Sequence, residues 1–254
     1  MKVNETVFCF LSIVPVRAEH ADEAEIVTQL LFGEVATILA RHNQWLKIKS
    51  AHDGYEGWID HKQVQLITSK TVDLLAKKGI RQTTLTATLK TPWGPITSVK
   101  GSLLPASNPS FSIDQYEFEW VNFQPPTKTL DIGGVAMSYL NSPYLWGGRT
   151  PFGIDCSGFT QIVLYFFGVE LLRDASQQVK QGELIQFEDA RIGDLVFFKN
   201  AKENVHHVGI LLENDKIIHA SGRVRIDKLT KKGIYNDGLK EYSHNFHSIR
   251  RFLH

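Results

Sequence analysis

The side chains best suited to form a reactive centre in this 254-residue chain are Cys156 and two histidines further along. Cys156 follows a glycine-rich, turn-forming run over residues 143–155 and precedes an apolar stretch, 157–167, that predicts a helix. The first amides of a helix have no intrahelical partner and its dipole adds about half a positive charge, so both favour a thiolate. We therefore expect the Cys156 thiol to have a lowered pKa and to act as a nucleophile.

The alternative for Cys156 is a buried thiol that packs as a small apolar side chain, which is the usual fate of a lone cysteine. Its polar neighbours Asp155 and Ser157, and the glycines that allow close backbone approach, favour the nucleophile. The other cysteine, Cys9, lies far away in the chain and no CxxC pair exists. A disulfide-stapled scaffold and a Cys-rich zinc site are therefore not expected.

His207 and His219 lie on two predicted strands with a turn over residues 213–216 between them. A tight antiparallel hairpin with suitable register makes them neighbours on one face, where one imidazole orients the other as a base for a thiol. Two alternatives stay open: partly buried histidines satisfied by backbone groups, and a zinc site that adds a cysteine to the pair. His206, adjacent to His207, points to the opposite face of an extended strand.

The pattern of secondary structure changes at about residue 128. Residues 1–70 contain short alternating segments and turn signals that predict a small β-barrel, with a first strand over residues 7–14. Residues 71–125 predict a second small β unit, for which a barrel like the first is one interpretation, and 124–127 predict a linker. From 128 to 254 helical patterns precede a run of strands, so we predict an α+β domain there.

Composition excludes several classes of protein. The chain is 43% hydrophobic and 22% charged, which excludes disorder, and its net charge of +1 gives no reason to expect nucleic acid or an anionic membrane as a partner. The sequence contains no apolar run of transmembrane length. Lys2 is answered by Glu5, so the apolar residues 7–14 match a strand better than a signal peptide. We expect a cytoplasmic protein, with an exported one as the alternative.

Four stretches of this sequence occur in the order of a known family. They are Pro143-Tyr144-Leu145-Trp146-Gly147-Gly148, Asp155-Cys156-Ser157-Gly158-Phe159, His207-Val208-Gly209-Ile210 and Ile218-His219-Ala220-Ser221. Together they resemble the NlpC/p60 family of cysteine peptidases over roughly residues 130–252. The N-terminal stretches Gly33-Glu34, Trp45-Leu46-Lys47-Ile48 and Tyr55-Glu56-Gly57-Trp58-Ile59 resemble a bacterial SH3-like domain. The resemblance implies a papain-like catalytic domain preceded by one or more SH3-like barrels.

The resemblance also implies roles for individual residues. Cys156 would be the nucleophile, His207 the general base and His219 its orienting partner. The hydroxyl of Tyr144 would help to hold the oxyanion beside the Cys156 backbone amide, although the ring can instead pack onto Trp146.

Substrate contacts follow from the same resemblance, and for them we predict Asp155, Ser157, Ser176 and Trp146. In relatives with an SH3-like domain, that domain closes one end of the cleft and acidic and aromatic side chains hold the substrate ammonium. Two residues of the N-terminal part are our candidates for that role, Glu25 and Tyr55. A solvated surface glutamate and a barrel-core tyrosine are the alternatives for these two.

The whole chain is similar to γ-D-glutamyl-L-diamino acid endopeptidases. This implies hydrolysis of the γ-D-glutamyl–diamino acid bond in peptidoglycan stem peptides with a free N-terminal L-Ala, as in murein peptide recycling. We expect a monomer that needs no cofactor or metal and binds neither nucleic acid nor membrane. An N-acetylmuramoyl-L-alanine amidase or acyltransferase on the same core, and a non-enzymatic wall-binding protein, are the alternatives.

Overall fold

The computed structural model describes residues 1–125, 129–213 and 215–253. The chain divides into two compact units, Met1–Lys128 and Thr129–His254. Of the linker predicted over residues 124–127, the last two residues lie outside the described part of the chain. Within the described residues, no helix has the length and apolar character needed to cross a membrane.

The first unit is mostly β structure, with a single α-helix and one short 3-10 helix (His61–Gln63) among its described residues. Its elements are β1 (Thr6–Cys9), β2 (Ile13–Arg17), β3 (Ile26–Leu31), β4 (Val35–His42), β5 (Trp45–Ser50), β6 (Glu56–Asp60), β7 (Val64–Leu66), α1 (Ser69–Lys78), β8 (Ile80–Arg81), β9 (Thr86–Lys90), β10 (Ile96–Val99), β11 (Leu103–Leu104), β12 (Ser110–Ile113) and β13 (Tyr116–Trp120). The strands before α1 form one sheet in the order β3-β2-β6-β5-β4-β1-β7. Those after it form a sheet in the order β10-β9-β13-β12 and the pair β11-β8.

The single strand predicted over residues 7–14 is wrong. β1 ends at Cys9 and β2 begins at Ile13, and the two strands have different neighbours: β1 pairs with β4 and β7, whereas β2 pairs with β3 and β6. Strand β1, strand β2 and the corner between them are all mostly apolar, because they pack against the cores of this unit. The apolar pattern of residues 7–14 therefore does not show where the first strand ends.

One apolar cluster joins the part of this unit before α1 to the part after it. Gly33 has φ +81°, and a Cβ there would lie 1.8 Å from the backbone oxygen of Leu103, whose amide donates to the carbonyl of Phe32. Only glycine allows this approach. The predicted blocks 1–70 and 71–125 therefore share a core, whose buried members are Phe8, Phe10, Phe32, Val35, Ile67, Leu75, Leu89, Leu104, Phe111, Ile113, Phe118 and Trp120.

The second unit has its helices first and most of its strands after them. Its elements are α2 (Ile132–Met137), β14 (Arg149–Thr150), β15 (Gly153–Ile154), α3 (Cys156–Tyr165), α4 (Ala175–Gln178), β16 (Glu183–Ile185), β17 (Leu195–Lys199), β18 (Val205–Glu213), β19 (Lys216–Ser221), β20 (Arg223–Thr230), β21 (Gly233–Asn236) and β22 (Glu241–Arg251). The main sheet has the order β16-β22-β17-β18-β19-β20-β21, and β21 also pairs with β22. The strands β17 to β22 therefore close into a ring.

Helix α3 is the element that carries Cys156. Each of its residues is buried, and it packs against β18 and β19. This explains its continuous apolar character, because a helix that is covered on all sides has no polar face. The α+β class predicted from the sequence is confirmed.

Candidate active site

The loop before α3 is held against the first turn of the helix by backbone contacts that only glycine allows. A Cβ on Gly148 would lie 2.4 Å from the carbonyl oxygen of Gly153, and one on Gly158 would lie 2.4 Å from the carbonyl oxygen of Gly148. Asp155 is the N-cap: its Oδ1 accepts from the Gly158 amide (2.6 Å) and its Oδ2 from the Gly147 amide (2.8 Å). The glycine-rich run thus places Cys156 as the first residue of a capped helix.

A buried ion pair ties this helix start to the segment before α4. The guanidinium of Arg173, 1% exposed, donates from Nη1 to Asp155 Oδ1 (3.0 Å) and from Nη2 to Oδ2 (2.6 Å). The same Nη1 donates to Ser157 Oγ (3.0 Å). Asp155 and Ser157 therefore hold the helix start in place, and their contacts with a substrate stay predictions.

The thiol of Cys156 lies in surroundings that disfavour its charge. The residue is 5% exposed. Burial, followed by the negative charge of Asp155, raises the pKa of Cys156 to about 12, against backbone amides and Arg173 that lower it. The expected lowering of this pKa is wrong, because desolvation and the charged N-cap outweigh the helix start. The resting thiol is protonated and needs a base to become a nucleophile.

The predicted base, His207, lies on β18 in a chain of hydrogen bonds across three neighbouring strands. Gly209 on β18 faces His219 on β19, so His207, two residues away, is the diagonal neighbour on the same face. His207 Nε2 lies 2.8 Å from His219 Nδ1. His219 Nε2 in turn lies 2.9 Å from Oδ2 of Asp227 on β20.

Gly209 leaves the space that this arrangement needs. A Cβ on Gly209 would lie 2.9 Å from the Cβ of His219 and 2.8 Å from Ile217 Cδ1. Any larger residue at this position would push against the strand that carries His219.

The start of α3 faces the strand of the predicted base. Cys156 Sγ lies 4.0 Å from the carbonyl oxygen of His206, and the Val208 amide is among the groups that lower the pKa of the thiol. His207 is buried and makes the hydrogen bond to His219, whereas the side chain of His206 is exposed. Burial, followed by the charges of His219, His244 and His206, lowers the pKa of His207 well below its usual range. The strand beside the protonated thiol therefore carries a neutral imidazole.

His244 on β22 is a further member of this cluster. Its ring stacks on that of His207 at a centroid distance of 4.0 Å and an interplanar angle of 25°. Burial is the main reason that the pKa of His244 is lowered to about 4. Its ring covers one face of the base.

The cluster of three histidines offers nitrogens within 4.8 Å of one another, which is close enough to consider a metal ion. Imidazole lone pairs lie in the plane of the ring, so ligands of one ion need planes that meet at the ion. The nearly parallel rings of His207 and His244 do not meet this condition, and the facing nitrogens of His207 and His219 are joined by a hydrogen bond. The geometry is that of a hydrogen-bonded pair with a stacked neighbour.

The other predicted residues of this unit lie around the thiol or at the surface. Tyr144 is half-buried; burial, followed by the charges of Cys156 and Asp155, raises its pKa to about 12, so its hydroxyl keeps its proton and can donate to an oxyanion. Trp146 is 60% exposed, and Ser176 is exposed on the first turn of α4. Both surfaces are open to a ligand, and their roles stay predictions.

The two candidates in the first unit differ in burial. Glu25 is exposed immediately before β3, and Tyr55 is half-buried before β6 with its amide donating to Asp53 Oδ1 (3.0 Å). The exposure of Glu25 matches the alternative of a solvated surface glutamate, and the roles of Glu25 and Tyr55 stay predictions. Two carboxylates that are buried in this unit, Glu34 and Asp53, lie 2.9 and 3.1 Å from nitrogens of Arg81 and His52.

The sequence analysis assigned no individual role to three residues that the structure places at this site: Asp227, His244 and Arg173. Asp227 is part of an Arg-x-Asp pattern on the strand after His219, which is a usable signal because alternate residues share a face. Arg173 lies in the segment that resembles the family, although its pairing with Asp155 depends on the fold. His244 had no local signal, since it meets His207 through the pairing of β17 with both β18 and β22.

Comparison with known proteins identifies the family of this chain. The NlpC/P60 family matches residues 141–242, and the bacterial dipeptidyl-peptidase Sh3 domain matches residues 16–64. The chain is 37% identical over 118 residues to the probable endopeptidase NlpC of Escherichia coli; the match spans 45% of this chain and 71% of that protein. This chain belongs to the NlpC/P60 family of cysteine peptidases.

Two further relatives extend over most of the chain. This chain is 28% identical over 222 residues to the γ-D-glutamyl-L-lysine dipeptidyl-peptidase of Bacillus subtilis. The match spans 77% of this chain and 72% of that protein. A crystal structure of an NlpC/P60 family protein from Bacillus cereus has the same fold, with a TM-score of 0.79 and 22% identity over 98% of this chain and 99% of that one.

Proposed function

We propose that this protein is a cysteine peptidase that hydrolyses the γ-D-glutamyl–diamino acid bond of peptidoglycan stem peptides with a free N-terminal L-Ala. The observation that carries the proposal is that the thiol at the start of α3 lies against β18, the strand on which the His207 imidazole is hydrogen-bonded to His219. Support for the substrate comes from the Bacillus subtilis relative, whose name specifies a γ-D-glutamyl bond and release of a dipeptide.

The residues divide the reaction between them. His207 takes the proton of Cys156 as the sulfur attacks the γ-carbonyl carbon, and the resulting oxyanion is held by the Cys156 amide and the Tyr144 hydroxyl. The proton then passes from His207 to the departing amine of the diamino acid, and a thioester is left on Cys156. Water, deprotonated by His207, cleaves the thioester and restores the thiol.

Product analysis tests this function. Purified protein is incubated with L-Ala-γ-D-Glu-meso-diaminopimelate and with its L-Lys counterpart, and the products are resolved by mass. We expect the dipeptide L-Ala-D-Glu and the free diamino acid, with no products from the Cys156→Ala variant. Muramyl peptide as substrate identifies the amidase alternative, since an amidase would leave the tripeptide whole. Binding to wall fragments without any product would contradict the proposal.

The N-terminal amine of the substrate gives a second, independent measurement. We expect kcat/KM to be higher for the free tripeptide than for the N-acetylated one. Because Glu25 is exposed, and exposed ion pairs contribute under about 1 kcal/mol, Glu25→Gln should change this ratio by less than about five-fold. Equal kcat/KM on the two peptides would contradict the requirement for a free amine.

A further inference from the structure

Asp227 is the outermost member of the hydrogen-bonded chain that begins at His207. On β20, Arg225 faces His219 across the strand pair, so Asp227, two residues on, is the diagonal neighbour of His219 on the same face. The carboxylate is 8% exposed; its Oδ2 lies 2.9 Å from His219 Nε2, and its Oδ1 accepts from Arg225 Nη2 at 2.7 Å. Each carboxylate oxygen therefore has its own partner.

The positions of the protons follow from the charge of Asp227. Burial raises the pKa of Asp227, but the hydrogen bonds from His219 and Arg225 outweigh burial, and the pKa is lowered overall. The carboxylate is therefore ionised and can only accept hydrogen bonds. Burial keeps His219 neutral by lowering its pKa, and a neutral imidazole has a single N–H. That N–H is on Nε2, facing Asp227, and Nδ1 of His219 must accept.

The tautomer of His219 determines which nitrogen of His207 carries the proton. Since His219 Nδ1 accepts, His207 donates from Nε2, and the lone pair of His207 is left on Nδ1, which is the nitrogen that takes the thiol proton. With the opposite tautomer of His219, an N–H on its Nδ1 would donate to His207 Nε2. His207 would then carry its proton on Nδ1 and could not accept one from Cys156.

We propose that Asp227 is a positioning residue: its carboxylate, held by Arg225, selects the tautomer of His219 and through it the tautomer in which His207 can act as a base. This deepens the proposed function and rests on it for its kinetic consequences. A histidine in the orienting position needs such a partner because it has two neutral tautomers of similar stability. Asp227 also stabilises the imidazolium formed when His207 takes the proton of Cys156.

The informative substitution is Asp227→Asn, because Arg225 determines how the new amide turns. Arg225 donates, so it selects the amide oxygen, and the NH₂ group is then directed at His219 Nε2. This favours the wrong tautomer of His219. In a related arrangement, a serine-protease triad, the Asp→Asn change lowers kcat by about 10⁴-fold through the wrong tautomer. For a carboxylate one residue further from the base, we expect kcat to fall by about 10²-fold or more, with KM changed by less than about three-fold.

A second substitution separates the tautomer from a general loss of structure. Removing Arg225 in the Asp227→Asn background frees the amide to turn its oxygen towards His219. The double variant Asp227→Asn/Arg225→Ala should therefore be more active than Asp227→Asn alone, whereas two independent structural losses would make it less active. Asp237→Asn, at an exposed aspartate after β21, is the matched control and should retain wild-type kinetics.

Nitrogen-15 NMR of the histidine rings in the full-length protein reports the tautomers without any substrate. We expect His219 to be protonated on Nε2 in the wild type and on Nδ1 in Asp227→Asn. Unchanged ring signals in the folded variant, or a kcat within three-fold of wild type, would overturn the proposal. If the wild-type protein cuts no stem peptide, the proposed function fails, yet the ring signals still decide the role of Asp227.

Discussion

The two thiols of the chain differ in what surrounds them. Cys9 is fully buried in a strand of the first unit, and burial, with the charge of Glu34, raises its pKa far above the usual range. Cys156 also has a raised pKa, but it is slightly exposed and lies against β18, the strand that carries the proposed base His207. An alkylating reagent at neutral pH should therefore label Cys156 faster than Cys9, as measured by peptide mass mapping.

The substitution Cys156→Ala should abolish turnover and leave the thermal midpoint within a few degrees of wild type, because the change removes one sulfur atom at the edge of the core. Calorimetry measures the thermal midpoint and shows whether the variant is folded.

In the labelling experiment, equal labelling of both thiols in the folded protein would contradict the assignment of Cys156 as nucleophile.

The adjacent histidines provide a matched pair. His207→Ala should lower kcat by about 10²- to 10⁴-fold, because proton transfer to and from the leaving amine is lost. His206→Ala should keep most of the activity, since its side chain is exposed and makes no part of the hydrogen-bonded chain described above. Steady-state kinetics on the free tripeptide measures both. A larger loss for His206→Ala would show that the base is His206.

The elements around the site show which features a sequence can predict. Strand alternation predicts that His207 and His219 are neighbours, and the structure joins their rings by a hydrogen bond. The roles of Cys156 and His207, and the choice of His207 over His206, stay predictions. The pKa of Cys156 depends on burial by β18 and on the charge of Asp155, which are tertiary properties. Its direction therefore could not be predicted from a helix start alone.

Register across strands explains the remaining differences. Asp227 reaches His219 only because β19 and β20 pair with Arg225 facing His219, and a slip of one residue would turn the carboxylate to the other face. His244 is brought to His207 by a strand that lies two positions away in the sheet. The Arg-x-Asp pattern offers a local signal for Asp227, whereas no residue near the motifs indicates that His244 meets His207.

The start of α3 depends on its ion pair with the segment before α4. Arg173→Met should destabilise the protein by about 3–5 kcal/mol, because it leaves the buried charge of Asp155 without its partner. Adding Asp155→Asn should recover part of this loss. Urea unfolding measures the free energies, and Lys216→Met, which removes an exposed ion pair with Glu213, is the control with little expected change.

A loss below about 1 kcal/mol for Arg173→Met would contradict the view that this pair holds the helix start. A double variant that is no more stable than Arg173→Met would show that the guanidinium acts through packing rather than through charge.

For the molecule as a whole, the buried imidazoles predict a dependence of stability on pH. His207, His219 and His244 have lowered pKa values in the folded protein, against about 6.5 in the unfolded chain. Above pH 6.5 both states are neutral. Below pH 6.5 the unfolded chain binds protons that the folded protein does not, so the free energy of unfolding falls as pH falls. The contribution of His244 to this fall extends down to about pH 4, the pKa of this residue in the folded protein.

Thermal midpoints between pH 7 and pH 5 measure this effect. The variant His244→Phe keeps an aromatic ring over His207 and removes one titrating group, so its midpoint should fall less steeply with acid than that of the wild type. The control is His247→Phe, at an exposed histidine on the same strand. Its thermal midpoint should fall with acid in parallel with that of the wild type. Parallel curves for both variants would contradict the lowered pKa of His244.

The apolar cluster shared by the two halves of the first unit matters to anyone who divides this protein for expression. The SH3 domain match ends at residue 64, which invites a fragment of about that length. Such a fragment lacks the aromatic residues of β12 and β13 that cover Phe8, Phe32 and Val35, so these three side chains would be exposed. An uncovered apolar surface of this kind drives association, so the short fragment should precipitate, whereas one that extends to residue 125 should remain soluble.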